Sequence, residues 1–223
     1  MGYLTNTDYL LHVQDTNWQQ MISNNALVQK QSERYAQAKI TSYLNAKYDC
    51  VEEFKDTTTF DIAKAYKADS LVVYNTEYYY LTPTADPYAY NVTYKVGDKV
   101  YYHSNIYTCI VESIGVTPTV STSWTNNNYT IIGVLPTDTT KWTKGDNRSV
   151  LIFNWYVELA VFYAYTRISP RNIPQLRIDQ KNEVIKDLEN AQIGVSINLY
   201  DLPLLQPLQG RSIRFNSTPK NIL

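Results

Sequence analysis

Residues 94–113 read YKVGDKVYYHSNIYTCIVES, and their pattern differs from that of the long segments on either side. Valine and tyrosine alternate with polar residues here, which is typical of half-buried β-strands. Gly97-Asp98 and Ser104-Asn105 have the composition of turns in tight hairpins. The stretch therefore predicts a small tyrosine-rich β unit in the middle of a chain whose other long segments predict helices.

The segments before this unit favour helices. Thr7 is placed to cap a short helix over residues 8–13, and apolar residues recurring every fourth position predict a longer helix over residues 26–48. A further short helix is predicted over residues 59–69. Between them lies an acidic run that could form a weak cation site but lacks the spacing of a calcium-binding loop, so we expect a solvated loop. The run comprises Asp49, Glu52, Glu53 and Asp56.

Helical patterns return after the β unit. Residues 149–168 are apolar almost all round, yet Glu158 and Arg167 lie among them. A charge in the middle of a membrane is costly, so this stretch predicts a buried central helix of a soluble protein. We expect Glu158 to pair with a neighbouring helix or subunit. An amphipathic helix over residues 174–192 should end at Gly194.

These patterns together predict an α+β fold with three parts. Residues 1–71 and 149–194 would form a discontinuous α-helical bundle domain. Residues 72–148 would form an inserted small antiparallel β domain, because an insertion is tolerated where chain ends lie close together at the surface. Residues 195–223, rich in proline and polar turns, would form an extended C-terminal arm.

The composition argues against several kinds of chemistry. The net charge of −1 gives no overall attraction to nucleic acid or anionic lipid. The two histidines, His12 and His103, have no metal-ligand spacing, no catalytic triad can be assembled, and no glycine-rich phosphate loop is present. Cys50 and Cys109 are expected to be free thiols. The sequence therefore predicts a non-enzyme without catalytic residues, metal or cofactor, and its N-terminus lacks the pattern of a signal peptide.

Four segments outside the β unit resemble the head–tail connector proteins of tailed bacteriophages, also called adaptor or head-completion proteins. They are the opening YLTNTDYL at residues 3–10, SYLNAKY at 42–48, RIDQKNEVIKDLENAQIG at 177–194, and RFNSTPKN at 214–221. Each motif is weak alone, and their order and the terminal signature carry the resemblance. The 21 tyrosines and 7 glycines also suit an A+T-rich phage of gut bacteria, such as a crAss-like phage.

The resemblance implies a structural virion protein. Such proteins form homo-oligomeric rings, usually of twelve copies, between the portal protein and the tail, where they extend the DNA channel and offer a platform to tail or further neck proteins. The chain would be made in the host cytoplasm and reside in the portal–tail neck, with non-specific, salt-sensitive DNA contact and no membrane contact. The arm would dock on a neighbouring subunit or the portal through Arg211, Arg214, Phe215, Pro219 and Lys220.

The β unit itself is similar to small chitin-type carbohydrate-binding modules from Tyr94 to Trp124. Gly97-Asp98 matches the family's turn, and TPT at residues 117–119 and SW at 123–124 match its later signature. Tyr94 stands where a tryptophan is more usual, and the asparagine-rich stretch after Trp124 also departs from the pattern.

This second resemblance leaves two interpretations open. Aromatic rings exposed in a row could stack on sugars, or the same rings could fill the small core of the unit. The candidate rings are Tyr101, Tyr102, Trp124, Tyr129 and Trp142. For a connector we favour the core and a use of the β unit in protein–protein contact. The alternative function is that of a carbohydrate-binding adhesin or appendage module.

Overall fold

A computed structural model describes residues 2–10, 12–22, 25–168, 171, 173–194, 197, 199 and 202 of this chain. The fold is mixed α+β, with a few helices and several small, mainly antiparallel sheets. The residues predicted to form the docking arm lie outside the described residues. They are Arg211, Arg214, Phe215, Pro219 and Lys220.

The helices follow the predicted pattern at most positions. They are α1 (Asn6–Tyr9), α2 (Asp15–Ile22), α3 (Ala26–Leu44), α4 (Cys50–Glu53), α5 (Val150–Ile168) and α6 (Gln175–Ile193). The helix α3 ends four residues earlier than predicted. Gly194 ends α6 in the left-handed conformation with φ of 71°, as expected of a glycine cap. The first helix begins after Thr5 rather than Thr7, because the Asp8 carboxylate accepts a hydrogen bond from the Thr5 backbone N–H at 2.7 Å.

The predicted central helix α5 is confirmed as the buried element of the helical part. It packs against α3 on one side and α6 on another, and most of its apolar side chains contribute to one hydrophobic cluster. That cluster also contains Trp18 and Ile40 from the first part of the chain and Leu188 from the last helix. The helical core is thus built from both ends of the described sequence, which the β region separates.

Residues 58–144 form the β region. Its strands are β1 (Thr58–Thr59), β2 (Tyr66–Lys67), β3 (Leu71–Tyr74), β4 (Glu77–Leu81), β5 (Thr93–Tyr94), β6 (Lys99–Tyr102), β7 (Asn105–Cys109), β8 (Ser113–Ile114), β9 (Trp124–Asn126), β10 (Thr130–Ile131) and β11 (Trp142–Lys144). The prediction of a short helix over residues 59–69 is wrong. Tyr66 instead pairs with Ile131 of β10, and its ring packs at 5.5 Å from that of Trp142, so tertiary contacts override the local pattern.

The predicted hairpin turns are only partly correct. Strands β6 and β7 form a hairpin, but its turn lies at His103-Ser104, one residue before the predicted pair, with φ of 45° and 57°. Gly97-Asp98 does not join two paired strands. It forms a corner before β6, in which Gly97 has φ of 98° and the Asp98 carboxylate accepts a hydrogen bond from the Lys95 N–H at 2.7 Å.

The β region consists of two copies of one module, and one copy is nested within the other. The outer module comprises residues 58–81 and 130–144, and the inner module comprises residues 86–126. In the first half of the outer module, the β3–β4 hairpin pairs Val72 with Tyr79. In the first half of the inner module, the β6–β7 hairpin pairs Val100 with Tyr107, and each of these residues lies 28 positions after its counterpart. In the second half, Trp142 pairs with Leu81 as Trp124 pairs with Cys109.

The aromatic core of each module repeats the same geometry. In the outer module the Phe60 and Tyr66 rings stack at 5.6 Å, and in the inner module Tyr88 and Tyr94 stack at 5.5 Å. The tryptophan lies edge-on to the first ring of each pair, at 88° in both modules. The tyrosine hydroxyls of Tyr66 and Tyr94 also accept equivalent backbone hydrogen bonds, at 2.7 and 2.8 Å. Two copies of one structural unit therefore account for the whole β region.

This nesting predicts that the inner module can be removed. Replacing residues 85–127 by a short glycine-serine linker should leave the helices and the outer module folded, because each module has its own hydrophobic cluster. Far-ultraviolet circular dichroism and the amide NMR signals of the outer module are the measurements. Loss of the outer-module signals would show that the two cores do not fold independently.

Candidate interaction surfaces of the β region

The five candidate rings do not share one surface. Trp124 and Trp142 are 2% and 1% exposed, and each indole N–H donates to a backbone carbonyl within its own module, at 2.9 and 3.2 Å. Tyr102 packs against the inner core and Tyr129 against the outer core. Only Tyr101 lies between the modules. The placement matches the core-filling interpretation of the two tryptophans, and neither presents a ring face to a ligand in this conformation.

Tyr101 joins the inner module to the rest of the chain. Its hydroxyl accepts a hydrogen bond from the Lys55 ammonium at 3.0 Å and donates to the Asp69 carboxylate at 3.2 Å. Asp69 also pairs with Lys55 and accepts from the Asn147 side chain at 2.5 Å. The sequence reasoning missed Lys55, Asp69 and Asn147, because they are far apart in sequence and no local pattern relates them.

The acidic run after α3 is not the solvated loop that we expected. Asp49 is buried, and its carboxylate contacts the His103 ring nitrogen at 2.5 Å, which links the start of α4 to the β6–β7 turn. Glu53 accepts hydrogen bonds from the Tyr3 hydroxyl and, at 2.9 Å, from the Ser149 N–H. Burial raises the pKa of Glu53. Within the described residues, no group of histidine, cysteine or acidic side chains is arranged to hold a metal ion.

A buried arginine ties the helical part to the β region. Arg148 donates to both carboxylate oxygens of Asp8, at 2.8 and 3.1 Å, and to the Tyr3 carbonyl at 2.8 Å. It also pairs with Asp146 at 2.6 Å. Burial alone would raise the pKa of Asp8, but the hydrogen bonds and charge of Arg148 outweigh it and hold that pKa below its usual value. The Tyr78 hydroxyl of β4 donates to the same Asp8 carboxylate at 2.7 Å.

Glu158, the expected partner of a neighbouring helix, contacts two basic residues. Its carboxylate lies 2.8 Å from the His12 ring and 3.3 Å from the Arg177 guanidinium of α6. The prediction of an ion pair with a neighbouring helix is therefore confirmed. Both cysteines are free, as predicted, and both are buried. Among the helices of the described residues, none has the length and apolar character needed to cross a membrane.

The inner module exposes several apolar side chains, and the outer module buries the counterpart of one of them. Val96 is 67% exposed, whereas the equivalent Ala68 of the outer module is fully buried. Val111 and Ile114 are also more than half exposed. The corner next to Ala68 is covered because Asp69 contacts Lys55, Asn147 and the inner module's Tyr101. At the corresponding corner of the inner module the Val96 side chain is exposed to solvent in the single chain.

A cleft of about 480 Å³ lies where the outer module meets the helices. Threonine residues of the first segment and of β1 line it, together with Leu4, Val73 and Tyr78, and α3 contributes Lys30 and Glu33. The Glu33 carboxylate accepts hydrogen bonds from the Tyr9 hydroxyl at 2.8 Å and the Gln29 amide at 2.9 Å. Burial raises the pKa of Glu33 despite these hydrogen bonds. The cleft therefore combines apolar and hydroxyl-bearing walls with one desolvated acid.

Glu33→Gln should raise the thermal midpoint of the chain at pH 7. A raised pKa in the folded state means that the fold favours the protonated acid, so stability declines as pH rises from the unfolded pKa through the folded one. The variant has no such charge and keeps an oxygen for Tyr9. The higher thermal midpoint of the variant should disappear near pH 4, where Glu33 of the wild type is protonated and therefore uncharged like the glutamine of the variant. Thermal unfolding of both proteins at pH 7 and pH 4 measures this difference. An equal advantage at both would contradict the assignment.

Comparison with protein-family models, with curated proteins and with solved structures gives no match for this chain.

Proposed function

We propose that this chain is a structural protein of a tailed-phage virion: a head–tail connector with a connector-like helical bundle that forms a ring between portal and tail. One observation carries the proposal. The segments that resemble connector proteins before and after the β region belong to one helical core, in which α3 packs on α5 and both contact α6. This is the arrangement expected of a connector-type helical domain that received an insertion in one of its loops.

The β region then serves in contacts within the neck of the virion. Its aromatic side chains are largely used in two closed cores, and the inner module leaves the apolar side chains of Val96, Val111 and Ile114 exposed. Exposed apolar clusters of this kind favour protein partners over nucleic acid or sugars. The inner module carries two lysines against three acidic residues (Asp86, Asp98 and Glu112), so its charge opposes strong DNA binding.

The proposed partners are further copies of the chain in a ring, usually of twelve, the portal protein, and tail or further neck proteins. DNA passing through the ring would make non-specific contact with basic side chains. The candidates are Lys39 in α3 and Lys47 just after it. The ammonium group of each lies about 5 Å from the centroid of a tyrosine ring. We propose no catalytic role, because the buried acids and histidines named above take part in contacts that join elements of the fold.

The alternative, a carbohydrate-binding adhesin or appendage, rests on the similarity of the inner module to chitin-type modules. The duplication of the module is compatible with that function, but the indole rings of Trp124 and Trp142 have no exposed face. A retention assay separates the two functions. The full chain should pass through insoluble chitin and peptidoglycan unretained, and should co-purify as a ring with the portal and tail proteins encoded beside it. Retention on either glycan without ring formation would favour the alternative.

A further inference from the structure

The outer edge of β1 has hydrogen-bonding capacity that no backbone group among the described residues uses. Strand β1 pairs with β3 in parallel, and the Phe60 N–H donates to the Val73 carbonyl at 2.9 Å. Backbone groups alternate in direction along a strand, so those of Thr59 point away from β3. On that outer side the preceding Thr57 N–H donates to the Gly2 carbonyl at 3.0 Å. Among the described residues, no backbone partner occupies the next position, beside Thr59.

The inner module closes the same edge with a proline. The residue equivalent to Thr59 is Pro87, which forms a parallel bridge with Tyr101 as Thr59 does with Val73. The neighbouring hydrogen bonds are also equivalent, since Tyr88 N–H donates to the Tyr101 carbonyl at 2.9 Å. A proline has no N–H and therefore protects an edge strand against pairing. The outer module keeps the N–H at this position, so within the described residues its edge can accept a further strand where that of its duplicate cannot.

The open edge borders the cleft described above. Thr57, Thr58 and Thr59 form one wall of that cleft, and Val73 and Tyr78 of the sheet face form another. The helices α1 and α3 close the remaining sides. A strand that paired with β1 would therefore place every second side chain in a space of about 480 Å³ and the others in solvent. The site fits an extended segment with alternating apolar and polar residues.

We propose that this edge binds residues 212–216 of the C-terminal segment of a second copy of the chain, as an added strand. Those residues read SIRFN, in which Ile213 and Phe215 alternate with polar residues. The inference deepens the connector proposal, because it names the site on which the arm of a neighbouring subunit docks.

Geometry favours a neighbouring copy over the chain's own arm. Leu199 contacts the Tyr48 hydroxyl, beyond the C-terminal end of α3, whereas the cleft lies at the N-terminal end of that helix. The residues of α3 that line the cleft, Ala26 to Glu33, lie about 17–27 Å along the helix from Leu44. The ten residues from Leu202 to Ser212 reach at most about 35 Å when fully extended, so the chain's own arm would have to follow a nearly straight path along the helices, whereas the arm of a neighbouring copy has no such limit.

The substitution Thr59→Pro tests the site in the full-length protein. It removes the outward N–H but leaves the β1–β3 pairing, and the inner module shows the same residue tolerated at the equivalent position. The matched control is Thr59→Val, which keeps the N–H and the side-chain shape. We expect self-association, measured by sedimentation equilibrium, to weaken about tenfold or more in Thr59→Pro and to stay near wild type in Thr59→Val.

A peptide of residues 209–220 provides an independent measurement. In excess it should inhibit self-association of the wild type, whereas a peptide with Ile213→Asp and Phe215→Asp should not. Circular dichroism of both protein variants confirms that they fold. Self-association of Thr59→Pro at wild-type strength, or a wild type that stays monomeric up to about 100 µM, overturns the inference. Rings that persist in Thr59→Pro would rule out this docking site while leaving the connector proposal intact.

Discussion

Replacing Arg148 by methionine should lower the free energy of unfolding by about 3–5 kcal/mol, the range observed when one member of a buried ion pair is removed. The side chain is 4% exposed and that of Asp8 is 5% exposed, so the variant leaves a buried carboxylate without its cation. The same change removes the donor to the Tyr3 carbonyl. It also removes the ion pair between Arg148 and Asp146. Urea denaturation followed by tryptophan fluorescence gives the free energy.

The double variant Arg148→Met, Asp8→Asn is the control for this prediction. Removing the negative charge as well should recover a large part of the loss, because an uncharged amide costs less to bury than an unpaired carboxylate. Asp146 needs no compensation, since its side chain is 35% exposed. A single variant that loses less than about 1 kcal/mol would show that Arg148 contributes no more than an exposed ion pair.

Trp142→Ala should cost about 3–5 kcal/mol and unfold the outer module selectively. Its ring is 1% exposed, lies edge-on to Phe60 and Tyr66, and closes a core of few residues, so no neighbour can refill the cavity. Amide hydrogen exchange should rise in β3 and β4 of this variant while β6 and β7 stay protected.

Trp124→Ala is the matched variant of the inner module. It should reverse the pattern, with rapid exchange in β6 and β7 and protection in β3 and β4, because the two cores share no residue. Exchange that rises equally in both modules for either variant would contradict two independent cores and would indicate one cooperative β domain.

The helices could be predicted because their signals are local. The four-residue recurrence over α3, the apolar composition of α5 and the glycine after α6 each lie within a single element. The incorrect helix over residues 59–69 shows the limit of such signals. Tyr66 fits a helical pattern, but its partner is Ile131 of β10, whose position no local rule provides.

The duplication has a signal in the sequence, but it lies in the similarity of two separate segments and not in the pattern of any single element. Residues 66–81 and 94–109 align without a gap, and both begin Tyr-Lys and carry valine at the seventh position. The tryptophans Trp124 and Trp142 each follow an Ile-Gly-Val triplet at the same distance. A search for internal repeats would have found both matches. It would also have aligned Pro87 with Thr59 and so have indicated the unequal edges of the two modules.

The candidate site was less predictable than the fold. The sugar-binding candidates are aromatic residues of the β unit, but an aromatic ring is as useful in a small core as on a binding face, and composition cannot separate the two uses. The contacts of Arg148 with Asp8 and of Asp49 with His103 join elements more than fifty positions apart. They become visible only when the topology has brought the elements together.

The most direct test of the connector account is the native mass of the full-length protein, measured alone and mixed with its candidate portal protein, beside a chain that ends at Gly210. We predict a closed ring of defined copy number, formed alone or on the portal, that is lost or strongly weakened without Arg211 and the residues after it. A chain that stays monomeric in every mixture, or one that assembles equally well without this segment, would contradict the account.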